Sequence, residues 1–179
     1  MRFTEFNFLP AVLEGIEASN YETATPVQEQ VIPPILQGRD VIASAQTGTG
    51  KTAAFLLPVM NQLLKNYKDG TVGALIVVPT RELAIQIAQH IEGLSYFTNL
   101  SSIAIYGGSD AQNFVAEKKA LQMGADIIVC TPGRLIAHLN MGYVNFKEMQ
   151  FLVLDEADRM LDMGFQEDLN KILTHIPAT

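Results

Sequence analysis

From about residue 40 onward, short β-branched apolar runs alternate with longer segments whose apolar positions recur at helical spacing. The pattern predicts strands over residues 41–43, 74–78, 103–106, 126–130 and 151–154. Helices are expected between and after them, over 52–65, 82–92, 112–123, 134–140 and 166–174. Strand and helix in regular alternation is the signature of βαβ units, so the expected fold is α/β, a mostly parallel, doubly wound sheet flanked by helices. The first residues differ. Pro10 can open a helix, with Val12, Leu13 and Ile16 at helical spacing, and residues 27–36 form a second such stretch. Residues 1–38 are therefore expected to be a helical cap belonging to the same domain as residues 39–179.

Composition narrows the class. With 179 residues, 48% apolar and 17% charged, the chain can bury a full core and lacks the low hydrophobicity of a disordered segment. No Pro/Ser-rich linker or repeat marks an interior boundary. The net charge of −7 excludes a protein that holds nucleic acid by bulk electrostatics, so any such contact must be local. Cys130 is the only cysteine, which rules out an intrachain disulfide or a cysteine-based metal site and suits a reducing compartment. The apolar run 74–78 is far too short to span a membrane and the first residues carry no apolar leader, so a cytoplasmic protein with no membrane partner is expected.

The first candidate chemistry lies in Ala45-Gln46-Thr47-Gly48-Thr49-Gly50-Lys51-Thr52, between the strand expected over 41–43 and an apolar helical stretch. Gly48 and Gly50 can take positive φ and let successive backbone N–H groups face phosphates at a helix N-terminus. Lys51 supplies a point charge for the β and γ phosphates, and the Thr52 hydroxyl suits Mg²⁺. A glycine-rich surface turn is the plain alternative, and the Gly-Lys-Thr run in this setting speaks against it.

The second is Asp155-Glu156-Ala157-Asp158, directly after the apolar run 151–154. Ligands of open α/β sheets bind beyond the carboxyl ends of the strands, so this cluster and the phosphate loop are expected to face one crevice. Asp155 can hold Mg²⁺ partly through water, and Glu156 can orient or deprotonate an attacking water. Acidic residues also stabilise a helix N-terminus, so alone the cluster is ambiguous.

These residues resemble the DEAD-box family of ATP-dependent RNA helicases, and the resemblance covers nearly the whole chain. Residues 45–52 match motif I, in which alanine is usual at the first position. Pro79-Thr80-Arg81-Glu82-Leu83-Ala84 matches motif Ia, Gly107-Gly108 the glycine doublet, and Thr131-Pro132-Gly133-Arg134 motif Ib. Tyr21 through Gln28 is similar to the Q motif, with Asn20 and Ala24 in place of the usual glycine and proline. The resemblance implies a RecA-like domain whose Gln28 amide reads adenine while Tyr21, with Phe3 upstream, stacks on the base, hence ATP rather than GTP as cofactor. It implies an RNA-facing surface formed by Pro79, Thr80, Arg81, Gly107, Gly108, Thr131, Pro132, Gly133 and Arg134. Their chemistry suits the sugar-phosphate backbone: Arg81 and Arg134 can pair with phosphate, and Thr80 and Thr131 can donate hydroxyl hydrogen bonds. With no base reader, little sequence specificity is expected. His90, His138 and His175 lack metal-ligand spacing and are expected in packing or on helix surfaces.

The resemblance also implies continuation past Thr179: a Ser-Ala-Thr motif on a strand between the phosphate-loop strand and the acidic strand, then a second RecA-like domain carrying arginine fingers. The chain is therefore expected to be a fragment with little ATPase or unwinding activity of its own. Two other readings remain open, a non-catalytic RNA- or partner-binding module and a DNA translocase. Gln28 together with Asp158 favours the RNA-directed branch. Oligomeric state is not legible.

Overall fold

A computed structural model describes residues 1–108 and 111–178. Thr179, after which the further strand is expected, lies outside them. The described chain groups into two compact units, Met1–Tyr67 with Gln89–Leu100, and Lys68–Ala88 with Ser101–Thr179.

The first unit is helical. A 3-10 turn, Phe3–Phe6, precedes α1 (Pro10–Ala18), α2 (Pro26–Leu36) and α3 (Lys51–Lys65), and the later part of α4 (Arg81–Leu94) also belongs here. Pro10 and Pro26 open their helices at the first position, where a missing N–H costs nothing. The start of α1 is tied down by Asn61 of α3, whose Oδ1 accepts the Leu9 N–H at 2.8 Å. Gly15 permits close approach, since a Cβ there would lie 2.3 Å from the Leu94 carbonyl oxygen. The last carbonyl of α2, at Leu36, accepts the Gln62 side-chain amide at 2.8 Å. Phe3, Phe6, Val12, Ile16, Ile32, Leu56, Leu57 and Met60 form the interior.

In the second unit four parallel strands, β1 (Ala74–Val77), β2 (Ser102–Ile105), β3 (Ile127–Cys130) and β4 (Phe151–Leu154), stand in the order β2-β3-β1-β4. Ala74 pairs with Ile127 on one side and Phe151 on the other, and Ser102 pairs with Ile127. The inner strands are apolar at every position and wholly buried, as parallel strands covered on both faces must be. Leu75, Val77, Ile128 and Cys130 share a core with Leu121 of α5 (Ala111–Met123), Leu135 and Leu139 of α6 (Pro132–Leu139), Met160 of α7 (Ala157–Asp162), and Leu169 and Ile172 of α8 (Gln166–Leu173). Asp126, just before β3, is buried and clasps Ser101, its Oδ2 accepting the Ser101 N–H at 2.8 Å and hydroxyl at 3.1 Å. This is the parallel RecA-like α/β architecture expected from the alternation.

One expected element is absent. Residues 41–43 form no strand, and Ile42 is fully exposed (104%). A lone extended segment has no neighbour to take its backbone donors and acceptors, and among the described residues no strand pairs with this one. Its apolar residues alone do not make it a strand. The remaining expected elements are present with ends displaced slightly; α6 begins earlier than expected because Pro132 takes the first helical position after Thr131.

Candidate functional site

The phosphate loop turns on its glycines. Gly48 and Gly50 have φ of 84° and 87°, and Gly50 is the N-cap of α3, so Lys51 and Thr52 open a 15-residue helix. Thr49 braces the turn by donating its hydroxyl to the Gln46 carbonyl at 2.6 Å. Four unpaired N–H groups at such an end, with the helix dipole behind them, form a ready anion seat. Gln46 and Thr47 lie exposed on the turn.

Gln28 reaches this loop from α2. Its Oε1 accepts the Thr25 N–H at 2.9 Å, its backbone N–H meets the Thr25 hydroxyl at 3.4 Å, and its Nε2 donates to the Gly50 carbonyl at 3.1 Å. A single buried amide thus closes the capping box of α2 and touches the residue that caps α3. Tyr21 lies against Phe3, ring centroids 6.1 Å apart and planes 27° from parallel, and its hydroxyl is 2.9 Å from His90 Nε2. Burial pulls the His90 pKa down.

In the second unit the acidic turn follows directly on β4. The Asp155 N–H donates to the Val77 carbonyl at 3.0 Å, closing the last pair of the β1 and β4 ladder. Glu156 then takes φ 53°, an uncommon conformation for a side-chain-bearing residue, and caps α7. Its carboxylate is 3.1 Å from Arg159 Nη1. Asp158, the fourth acidic position, is exposed on the first turn of α7.

The three loops expected to face RNA all belong to this unit. Pro79 is buried after β1, and the Thr80 hydroxyl accepts the Leu83 N–H at 3.2 Å to cap α4. Arg81 lies over the Tyr106 ring, 5.3 Å from its centroid, and a Cβ on Gly108 would come within 3.1 Å of Arg81 Nη1. The glycine pair, exposed at Gly107 and Gly108, therefore adjoins Arg81. Thr131 is the N-cap of α6, followed by Pro132, exposed Gly133 and Arg134.

A family model described as DEAD/DEAH box helicase matches residues 25–179. The ATP-dependent RNA helicase CshA of Listeria monocytogenes is 43% identical over 177 residues, covering 99% of this chain and 33% of that protein. The DEAD-box ATP-dependent RNA helicase CshA of Geobacillus kaustophilus is 44% identical, over 98% of this chain and 37% of its own length. The ATP-dependent RNA helicase vasa of Drosophila melanogaster is 41% identical, over 97% and 26%. The chain belongs to the DEAD/DEAH box helicase family. It spans about a third of the length of the first two of these relatives.

Membership of the DEAD/DEAH box family leaves one cluster unaccounted for by the motifs. Glu117 of α5 is buried, and its Oε2 lies 2.9 Å from Arg134 Nε and 2.6 Å from His138 Nε2. His138 Nδ1 meets the Tyr143 hydroxyl. Phe114 stacks on the His138 ring at 4.1 Å and 7°, and Arg134 lies 4.9 Å over the same Phe114. Burial first, then the Glu117 charge, push the Tyr143 phenol up. Sequence spacing held a signal for this group. Phe114, Glu117 and Leu121 recur at three and four residues, as do Leu135, His138 and Leu139, so each polar residue sits on an apolar helix stripe and needs a buried partner.

Among the described residues, no three His, Cys, Asp or Glu side chains gather into a protein-only metal site. The Thr52 hydroxyl in the first unit and the Asp155 carboxylate in the second are each hard oxygen donors, the ligand type Mg²⁺ takes. No helix of the described residues is long and apolar enough to cross a membrane.

Proposed function

We propose that this chain is the nucleotide-gripping RecA-like part of an ATP-dependent RNA helicase, binding Mg-ATP and the RNA sugar-phosphate backbone. The observation that carries the reading is the Gly48 and Gly50 turn at the N-terminus of α3, contacted by the Gln28 amide. A phosphate seat and an adenine-reading amide are there joined through one backbone atom.

In this reading Gln46, Thr47, Gly48, Thr49 and Gly50 present N–H groups to the phosphates and Lys51 adds its charge. Tyr21 stacks on adenine, and Gln28 exchanges its present partners for the base edge. Thr52 and Asp155 are the oxygen donors for magnesium, Asp155 partly through water, and the ion when bound offsets phosphate charge. Glu156 orients the attacking water and accepts its proton. Arg81 and Arg134 pair with RNA phosphates, while the hydroxyls of Thr80 and Thr131 and the bare backbones of Gly107, Gly108 and Gly133 allow close approach, with Pro79 and Pro132 shaping the turns. Efficient turnover and unwinding belong to a longer protein, of the length of the relatives, in which a second RecA-like domain supplies arginine to the phosphates.

The test is equilibrium binding of fluorescent adenine and guanine nucleotides with magnesium. The expected result is binding of the adenine nucleotide, lost in Lys51→Ala, and weaker binding of the guanine nucleotide. Equal affinity for both bases, or a Lys51→Ala protein that binds as before, would overturn the reading.

A further inference from the structure

The RNA-facing segment 131–134 holds an arginine that two other elements grip. Arg134 Nε donates to Glu117 Oε2 at 2.9 Å, its side chain is only 15% exposed, and its guanidinium lies over Phe114. The same carboxylate oxygen takes His138 Nε2, one turn further along α6, and His138 is in turn held by Tyr143 in the turn that follows. Lys118 lies 5.2 Å over the Tyr143 ring. Glu117, His138 and Tyr143 thus form a relay that begins on α5 and ends at the arginine in the first turn of α6. The carboxylate is buried and shared between two donors, so it is fixed in place and the arginine hung on it is fixed as well.

We propose that Glu117, with His138 and Tyr143 behind it, is a positioning residue for Arg134, presetting its guanidinium for an RNA phosphate. The proposal rests on the RNA-backbone reading of Arg134 given above. A free arginine must be ordered when it binds, and an arginine already held by Nε and by an aromatic face has met that requirement. Charge alone predicts the opposite sign. Glu117 places a negative charge beside an anion-binding group, so deleting it should strengthen RNA binding if electrostatics were its only influence. Positioning predicts that deletion weakens binding.

The experiment is fluorescence anisotropy of a short labelled oligouridine at low ionic strength, with the whole chain and with circular dichroism to verify folding. Arg134→Ala is expected to weaken binding. Glu117→Ala is expected to weaken it roughly twofold to tenfold in the wild-type background, and to change nothing further in an Arg134→Ala background, because coupled residues are non-additive. Glu117→Gln keeps an oxygen for Nε and should retain affinity. Should Glu117→Ala fail to fold, Arg134→Lys decides: it keeps the charge but lacks Nε and the planar fork, so it should bind as poorly as Arg134→Ala. If Arg134→Ala leaves binding unchanged, the RNA reading of that residue falls and this inference with it. If Arg134→Ala weakens binding but Glu117→Ala tightens it, leaves it unaltered, or acts equally in both backgrounds, the positioning role alone is overturned. Full affinity in Arg134→Lys would overturn it too.

Discussion

The side-chain amide of Gln28 donates to the carbonyl oxygen of Gly50 at 3.1 Å, and a Cβ on that glycine would stand 2.5 Å from the donating nitrogen. Gly48, two residues earlier, has nearly the same φ, 84° against 87°, with nothing within 4 Å of its missing Cβ. The pair separates two reasons for a glycine, backbone conformation and lack of room. Gly48→Ala is expected to lower the unfolding free energy by about 1–2 kcal/mol, the cost of a left-handed alanine. Gly50→Ala carries the same strain and must also displace Gln28, so its urea midpoint should fall further and its nucleotide affinity with it. Equal midpoints for the two variants would show that the contact with Gln28 contributes nothing.

Glu156 occupies left-handed space without being a glycine. Such strain persists where a side chain is needed for something other than stability. Glu156→Gly should raise the unfolding free energy by about 1 kcal/mol, since the ion pair given up, to an Arg159 that is 54% exposed, contributes little. In a full-length helicase the same substitution should remove ATP turnover. A glycine variant no more stable than wild type in urea titration would contradict the strain argument.

Burial raises the Asp126 carboxyl pKa, partly opposed by its hydrogen bonds from Ser101. A carboxyl whose folded pKa exceeds its unfolded value favours the folded state while protonated. Its contribution is therefore complete below the unfolded value, near 3.8, and is lost as pH rises through the higher folded value. Asp126→Asn keeps an oxygen for the Ser101 N–H and cannot ionise. Its stability should fall less than that of wild type across this acid window when urea midpoints are compared, and parallel profiles would exclude Asp126 as the source.

Cys130 closes β3 with no exposed surface, and burial pushes its thiol pKa far up. A thiol that is neither ionised nor accessible is a poor nucleophile. Reaction with an aromatic disulfide reagent should therefore be slow in buffer and rapid in denaturing urea, and fast labelling in buffer would show that this end of β3 opens locally.

Features fixed by neighbours along the chain were legible. The glycine turn before α3, the acidic turn after β4 and the apolar runs of the four strands all show in local spacing, and the structure has a turn or strand at each of these places. The failure at residues 41–43 has the opposite origin, because a strand exists only by pairing and pairing is not a local property. The Glu117 relay was missed for a related reason. Its members are 17 and 21 residues apart in the ion pairs they make, and only their positions on apolar stripes hinted that they would meet. His138, expected in packing or on a helix surface, is fully buried and paired.

The bond from the Asp155 N–H to the Val77 carbonyl closes the last pair of a parallel ladder and ties the acidic residue directly to the end of β4 rather than leaving it a decoration on a loop. Which side of the sheet its carboxylate serves is then a matter of parity. A substitution within β4 leaves the count of rungs intact, whereas one inserted or deleted residue turns the side chains that follow it in the strand to the opposite face. At this strand the protein should forgive a change of letter more readily than a change of number.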